Sequence, residues 1–166
     1  MEAMTARFMQ QVLLNAASMG GLFQDLDVQA LDTLIGAAGM LPFDDDAVVF
    51  EEGSIGDLMY VIVSGKMEVY RKDALGGEVR LAVLGEGDVF GEMAILEHVR
   101  RTASVRALGP SITLSLDRQA LARHPDLTLQ LYRNIARMLS RRLRLTTDEL
   151  LSHETQARMR QERGED

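Results

Sequence analysis

The sequence predicts a mainly β fold with flanking helices. Two observations carry this. From Ala47 to about Leu116, short apolar segments alternate with turn-forming Gly, Ser and Asp residues. On either side of that region, apolar residues recur at helical spacing instead. Several short strands separated by turn signals indicate a β-sandwich or barrel.

At 166 residues the chain is expected to form one domain with helical extensions, long enough to bury a real core. Its 46% hydrophobic and 26% charged content is that of an ordinary soluble globular protein. With no cysteine in the chain, disulfides and thiolate chemistry are excluded, which is compatible with a reducing compartment. No apolar run approaches membrane-spanning length, and no basic segment precedes an apolar one at the N-terminus. No membrane span is expected, and a cytoplasmic location is.

The net charge of −7 is unevenly spread. Residues 1–117 carry −10, residues 118–145 carry +6 and residues 146–166 carry −3. An acidic body argues against broad nucleic-acid binding, although the local basic helix keeps that option open.

In chain order, residues 3–18 read as a helix, with Phe8, Val12 and Leu13 on one stripe and Gly20-Gly21 as the stop. Leu22–Leu41 contains a second helix: Asp27 is the candidate N-cap, Ala30, Leu31, Leu34 and Ile35 follow at helical spacing, and Pro42 is the stop. Asp44-Asp45-Asp46 is a solvated turn; the ligand spacing of a calcium loop is missing. Strands follow at Val48–Phe50, Leu58–Val63, Met67–Tyr70, Leu81–Leu84, Ser104–Ala107 and Ile112–Leu116. Ser64-Gly65 and Asp73–Gly77 are turns between them. Gly85, Gly87 and Gly91 have the wrong spacing for a dinucleotide fingerprint and no strand–helix–strand unit around them.

Asp117 is the N-cap of a short helix through Arg123, and Pro125 opens a long one. Leu131, Ile135, Met138 or Leu139, and Leu143 form the apolar stripe of that helix, flanked by Arg133, Arg137, Arg141 and Arg142. From Ser152 the chain is polar and charged, and is expected to be frayed or disordered. The expected division is therefore an N-terminal helical extension over 1–21, a domain over 22–150 that includes the long helix, and a tail over 151–166.

Residues 90–105 read Phe-Gly-Glu-Met-Ala-Ile-Leu-Glu-His-Val-Arg-Arg-Thr-Ala-Ser-Val. Gly91 follows a β-type stretch where the backbone must turn sharply or approach a ligand closely. Glu92–Leu96 favours a short helix, whose first N–H groups suit a phosphate. Arg101 can bring a guanidinium fork to the same anion. Glu92 would repel a phosphate, but it fits a site in which it accepts from a ribose hydroxyl. Together these describe a nucleotide monophosphate site.

This stretch resembles the phosphate-binding cassette of the cyclic nucleotide-binding domain family. Phe90, Gly91, Glu92, Ala94, Arg101, Ala103, Ser104 and Val105 match the family pattern. The resemblance extends through Glu52-Gly53, Gly56-Asp57, Tyr60–Ile62, Ser64-Gly65 and Gly87-Asp88, and covers about residues 22–145. It implies a jelly-roll β-barrel with helices at both ends and the long C-terminal helix as a lid. It implies cAMP or cGMP as ligand, with no further cofactor. Arg101 would take the phosphate and Glu92 the 2′-hydroxyl. Backbone N–H groups of Gly91, Met93, Ala94 and Ala103 are candidates for phosphate and sugar contacts. Thr102, where many relatives have alanine or serine, would contact the phosphate or a syn guanine. Val69 and Ala82 would line the base pocket, and Met138, Arg141 and Arg142 are lid candidates. Arg100 is the solvent-facing neighbour.

No catalytic or metal-binding constellation is read from the sequence. His98, His124 and His153 lack ligand spacing, no serine sits in a nucleophile elbow, and Glu92 alone supplies no acid–base pair. The expected function is a regulatory module that binds cyclic nucleotide and moves its C-terminal helix to control a protein partner or a homodimer. A ligand-independent interaction module of the same fold, or a detached regulatory subunit of a channel or transporter, is the alternative. Too few residues follow Leu145 for a helix-turn-helix, so no DNA-binding domain is expected.

Overall fold

The apolar run from Leu58 becomes the central strand because it has something to bury on both faces. In the computed structural model, which describes residues 21–97 and 99–163, strand β3 (Leu58–Ser64) points Met59, Val61 and Val63 into one core and Tyr60 and Ile62 into another. The first core lies under the helices, and the second lies between two sheets. A strand covered on both sides reads as continuous apolar sequence rather than as alternation.

The remaining strands are β1 (Gly39–Phe43), β2 (Val48–Phe50), β4 (Met67–Lys72), β5 (Glu78–Leu84), β6 (Val89–Phe90), β7 (Ser104–Ala107) and β8 (Ser111–Asp117). They form two four-stranded antiparallel sheets, in the orders β1-β8-β3-β6 and β2-β7-β4-β5. This is the jelly-roll-like sandwich expected.

Four helices complete the described residues: α1 (Val28–Ala37), α2 (Glu92–Glu97), α3 (Arg118–Ala122) and α4 (Pro125–Arg163). Asp27 caps α1 through the Ala30 N–H at 2.7 Å, and Asp117 caps α3 through the Ala120 N–H. Leu22, Phe23, Leu31 and Leu34 meet Leu127, Leu131 and Ile135 of α4 over the outer face of the β3 sheet. Burial of this kind contributes about 1.5–3 kcal/mol per large side chain.

Three expectations are corrected. Pro42 does not stop α1, which ends at Ala37; it lies in β1 opposite Ile112. β1 is the outer strand of its sheet, where a missing N–H is tolerated. Leu143 leaves the apolar stripe and is exposed, whereas Met138 and Leu139 both pack on the core. The stretch from Ser152 is helical to Arg163, not frayed. Its Glu, Gln, Ala, Arg and Met residues are good helix formers, and Ser152 and Thr155 return their hydroxyls to Asp148 and Leu151 carbonyls at 2.8 Å. The helix expected over 3–18, the Gly20 stop and His98 lie outside the described residues.

Candidate functional site

The site is built where the end of β6 turns into α2. Gly91 makes that turn with φ +75°, in the left-handed region that glycine enters freely. A Cβ there would stand 2.6 Å from Arg101 Nη1 and 3.1 Å from the Leu58 carbonyl oxygen. The turn is therefore also the space that the Arg101 head occupies.

Arg101 is only 6% exposed. Nη1 donates to the Gly91 carbonyl at 3.0 Å and Nη2 to the Leu58 carbonyl at 2.7 Å. Its guanidinium carbon sits 4.1 Å from the Phe50 ring centroid. Nε is buried and has no hydrogen-bond partner among the described residues. No described carboxylate pairs with it within 4.0 Å. Burial lowers the pKa of this guanidinium, while Tyr60, Asp57 and Glu92 pull it back up. A buried cation with only neutral acceptors and an unpartnered Nε is short of an anion.

The backbone around Arg101 is pinned as firmly as its side chain. Arg101 N–H donates to Ser54 O at 2.9 Å, and Gly53 N–H donates to Arg101 O at 2.8 Å. Arg100, expected to face solvent, is exposed, but it also donates to the Gly53 carbonyl. Ser104 accepts from the Glu52 N–H at 2.9 Å. The loop between β2 and β3 therefore holds the arginine from one side and Gly91 from the other.

Glu92 opens α2 and is buried. Desolvation raises its pKa against the opposing pull of its own backbone N–H, Arg142 and Arg101. Arg142 reaches it from α4: Nη1 lies 3.5 Å from Glu92 Oε1, and Nη2 donates to the Val89 carbonyl at 2.9 Å. Val89, Glu92, Ile135, Met138, Leu139 and Arg142 enclose a cavity of about 10 Å³ at this seam. Two of the lid candidates, Met138 and Arg142, are thus brought to the site. Arg141 is not: it is exposed, because adjacent helix positions point about 100° apart.

The other predicted residues are placed as follows. Met93 is partly exposed, and the Thr102 hydroxyl points to its sulfur at 3.8 Å. Ala94 lies within α2, and Ala103 is half-buried just before β7. Val69 and Ala82 face each other across β4 and β5; Val69 packs on the inter-sheet core and Ala82 is exposed. Sequence reasoning missed Phe50 and Gly56 as parts of the site. A Cβ on Gly56 would lie 2.6 Å from Arg101 Nη2. Its glycine and the neighbouring aspartate were visible in the sequence, but nothing local linked them to an arginine 45 positions on.

The model of the cyclic nucleotide-binding domain matches residues 40–124. The chain is 35% identical over 134 residues to the CRP-like cAMP-activated global transcriptional regulator of Mycobacterium tuberculosis, an alignment covering 78% of this chain and 58% of that protein. The crystal structure of the Thermus thermophilus catabolite activator protein superposes with a TM-score of 0.72 at 30% identity, covering 80% of this chain and 62% of that one. A cyclic nucleotide-binding domain from Methylobacillus flagellatus gives 0.77 at 25% identity, covering 87% and 83%. This chain belongs to the cyclic nucleotide-binding domain family. The alignment spans about three fifths of the curated relative.

These relatives correct one expectation. A DNA-binding domain was set aside because only residues 146–166 follow Leu145. The curated relative is a transcriptional regulator, and this chain spans 58% of it, so the length after Leu145 gives no ground for setting DNA aside. Among the described residues no helix is long and apolar enough to cross a membrane.

Proposed function

We propose that this domain binds cAMP at Arg101 and Glu92 and reports the ligand through α4. The observation that carries the proposal is the buried Arg101 head, held by two neutral carbonyls with Nε unsatisfied and no described carboxylate within 4.0 Å. A cyclic phosphate offers anionic oxygens to a fork that otherwise has only neutral ones, adding ion pairing and a two-pronged fit to the guanidinium. Glu92 then accepts from the ribose 2′-hydroxyl, and the N–H groups of Gly91, Met93, Ala94 and Ala103 surround the phosphate and sugar. Val69 and Ala82 offer an apolar wall to the base.

Support for cAMP over cGMP comes from the relative named as cAMP-activated. Thr102 is the residue that would admit guanine as well. Glu92 is also a partner of Arg142, so a sugar hydroxyl arriving at that carboxylate meets one of the two contacts through which Arg142 joins α4 to the site. The ligand shifts α4 by the difference in its affinity for the two helix positions. The setting we infer from the relatives is control of transcription, with this chain as the sensing part.

The test is calorimetric titration with cAMP, cGMP and 2′-deoxy-cAMP, on the wild type and on Arg101→Ala. Micromolar or tighter cAMP binding is expected, weakened about 10- to 150-fold by the substitution, the range for losing a charged hydrogen bond. The 2′-deoxy ligand should bind more weakly to the wild type. Absence of heat from a ligand-free sample with either nucleotide would overturn the proposal.

A further inference from the structure

Arg101 needs to be held without being neutralised, and Phe50 is placed to do that. Its ring lies beneath the guanidinium, with 4.1 Å between the Arg101 Cζ and the ring centroid. The Phe50 ring is itself fixed at 5.9 Å from both Tyr60 and Phe90, which stack on each other at 5.0 Å. We propose that Phe50 is the positioning residue of the phosphate site: its ring face holds the guanidinium plane while leaving its charge and N–H edges for the ligand.

Three observations favour this over simple core packing. A carboxylate in the place of the ring would hold Arg101 more strongly, but it would compete with a phosphate for the same N–H groups. The ring attracts the cation through its quadrupole and uses none of them. The edges are separately engaged by the Gly91 and Leu58 carbonyls, so face and edge are held by different groups. Gly56 and Gly91 lack the Cβ atoms that would displace the head from its place over the ring. A ligand can thus replace an edge acceptor while the contact at the face persists.

This inference rests on Arg101 being the phosphate residue, and its test is chosen to separate the two. Phe50→Leu keeps apolar bulk and removes the quadrupole; Phe50→Tyr keeps the ring. cAMP affinity is measured for both, each alone and combined with Arg101→Ala. Phe50→Leu is expected to weaken binding by about 2- to 30-fold, the range for a cation–π contact, and Phe50→Tyr to restore most of it. In the Arg101→Ala background, Phe50→Leu should change affinity little, because the residue acts through the arginine. An equal loss in both backgrounds, or no rescue by tyrosine, overturns the proposal.

A ligand-free readout stands apart from nucleotide binding. In NMR spectra the Arg101 Nε–H signal should lie upfield in the wild type from the ring current of Phe50, and move to an ordinary position in Phe50→Leu. If no nucleotide binds but the shift behaves this way, the binding proposal fails and the positioning survives. An ordinary Nε–H position in the wild type would overturn the positioning whatever the ligand does.

Discussion

Arg142 of α4 stands 3.5 Å from the carboxylate of Glu92, 50 positions earlier in the chain, and bonds the Val89 carbonyl beside it at 2.9 Å. One guanidinium thus joins the long helix to both ends of the turn that carries Gly91. The 3.5 Å contact is long for a hydrogen bond, so the carbonyl is the firmer anchor.

Arg142→Ala should loosen this seam. Amide exchange over the part of α4 near residues 138–142 should rise by about tenfold, while the β3 amides stay protected. That corresponds to losing about 1.5 kcal/mol, the lower range for a hydrogen bond from a charged group. Hydrogen-exchange mass spectrometry on the ligand-free protein checks it. Unchanged exchange in α4 would show that the helix is held by its apolar face alone.

Glu92 gives a pH prediction. Burial raises its carboxyl pKa, so the folded chain binds this proton more readily than the unfolded chain does. Its contribution is fully present below the ordinary carboxylate pKa and is lost as pH rises through the raised value. Glu92→Gln stays neutral and lacks that loss. Urea unfolding from about pH 4 to about pH 7 should therefore show the variant gaining on the wild type as pH rises. A constant difference across that range would refute the shift.

Gly56→Ala and Gly91→Ala should behave differently. At Gly56 the new methyl meets only the far end of Arg101, 2.6 Å away, and the backbone is not strained. Nucleotide affinity should fall with a small loss of stability, and Arg101→Ala should remove the effect on stability. At Gly91 the methyl also meets the Leu58 carbonyl in a left-handed backbone, which costs about 1–2 kcal/mol by itself. Thermal melts of the two single and two double variants distinguish them; equal melting losses would count against the packing described.

Asn134 is buried at 1% exposure, and its side-chain N–H groups donate to the Leu22 and Gln24 carbonyls at 2.8 and 2.7 Å. Asn134→Leu leaves both carbonyls without that donor. A loss of about 1–3 kcal/mol is expected in chemical denaturation, the cost of stranding buried polar groups. A neutral result would mean that the turn before α1 finds other donors.

The features legible in the sequence are those whose chemistry is local. Asp27 and Asp117 announce caps because the bond closes within three residues. Gly91 and Arg101 stand ten positions apart in a motif dense enough to read directly. The layers of β3 were half legible: its apolar run marked a strand, but two separate cores can be assigned only when both neighbours are known. Phe50 and Gly56 were not legible as parts of the site, because each meets Arg101 only after two sheets have closed. Pro42 misled for the same reason: its place in an outer strand depends on β8, some 70 positions later. Asn134, a lone amide amid the apolar positions of α4, was a signal that went unread.

Among the described residues the last inward anchor of α4 is Arg142, yet the helix continues to Arg163. At 1.5 Å per residue, that leaves about 31 Å of rigid rod beyond the fulcrum. A tilt of about 6° at the seam, too small to unpack the core beneath it, would sweep the far end of such a rod by about 3 Å. Under the proposed function, an event at the Glu92 carboxylate would in this way be geared up to the scale of a side chain, with no need for the sheets to move.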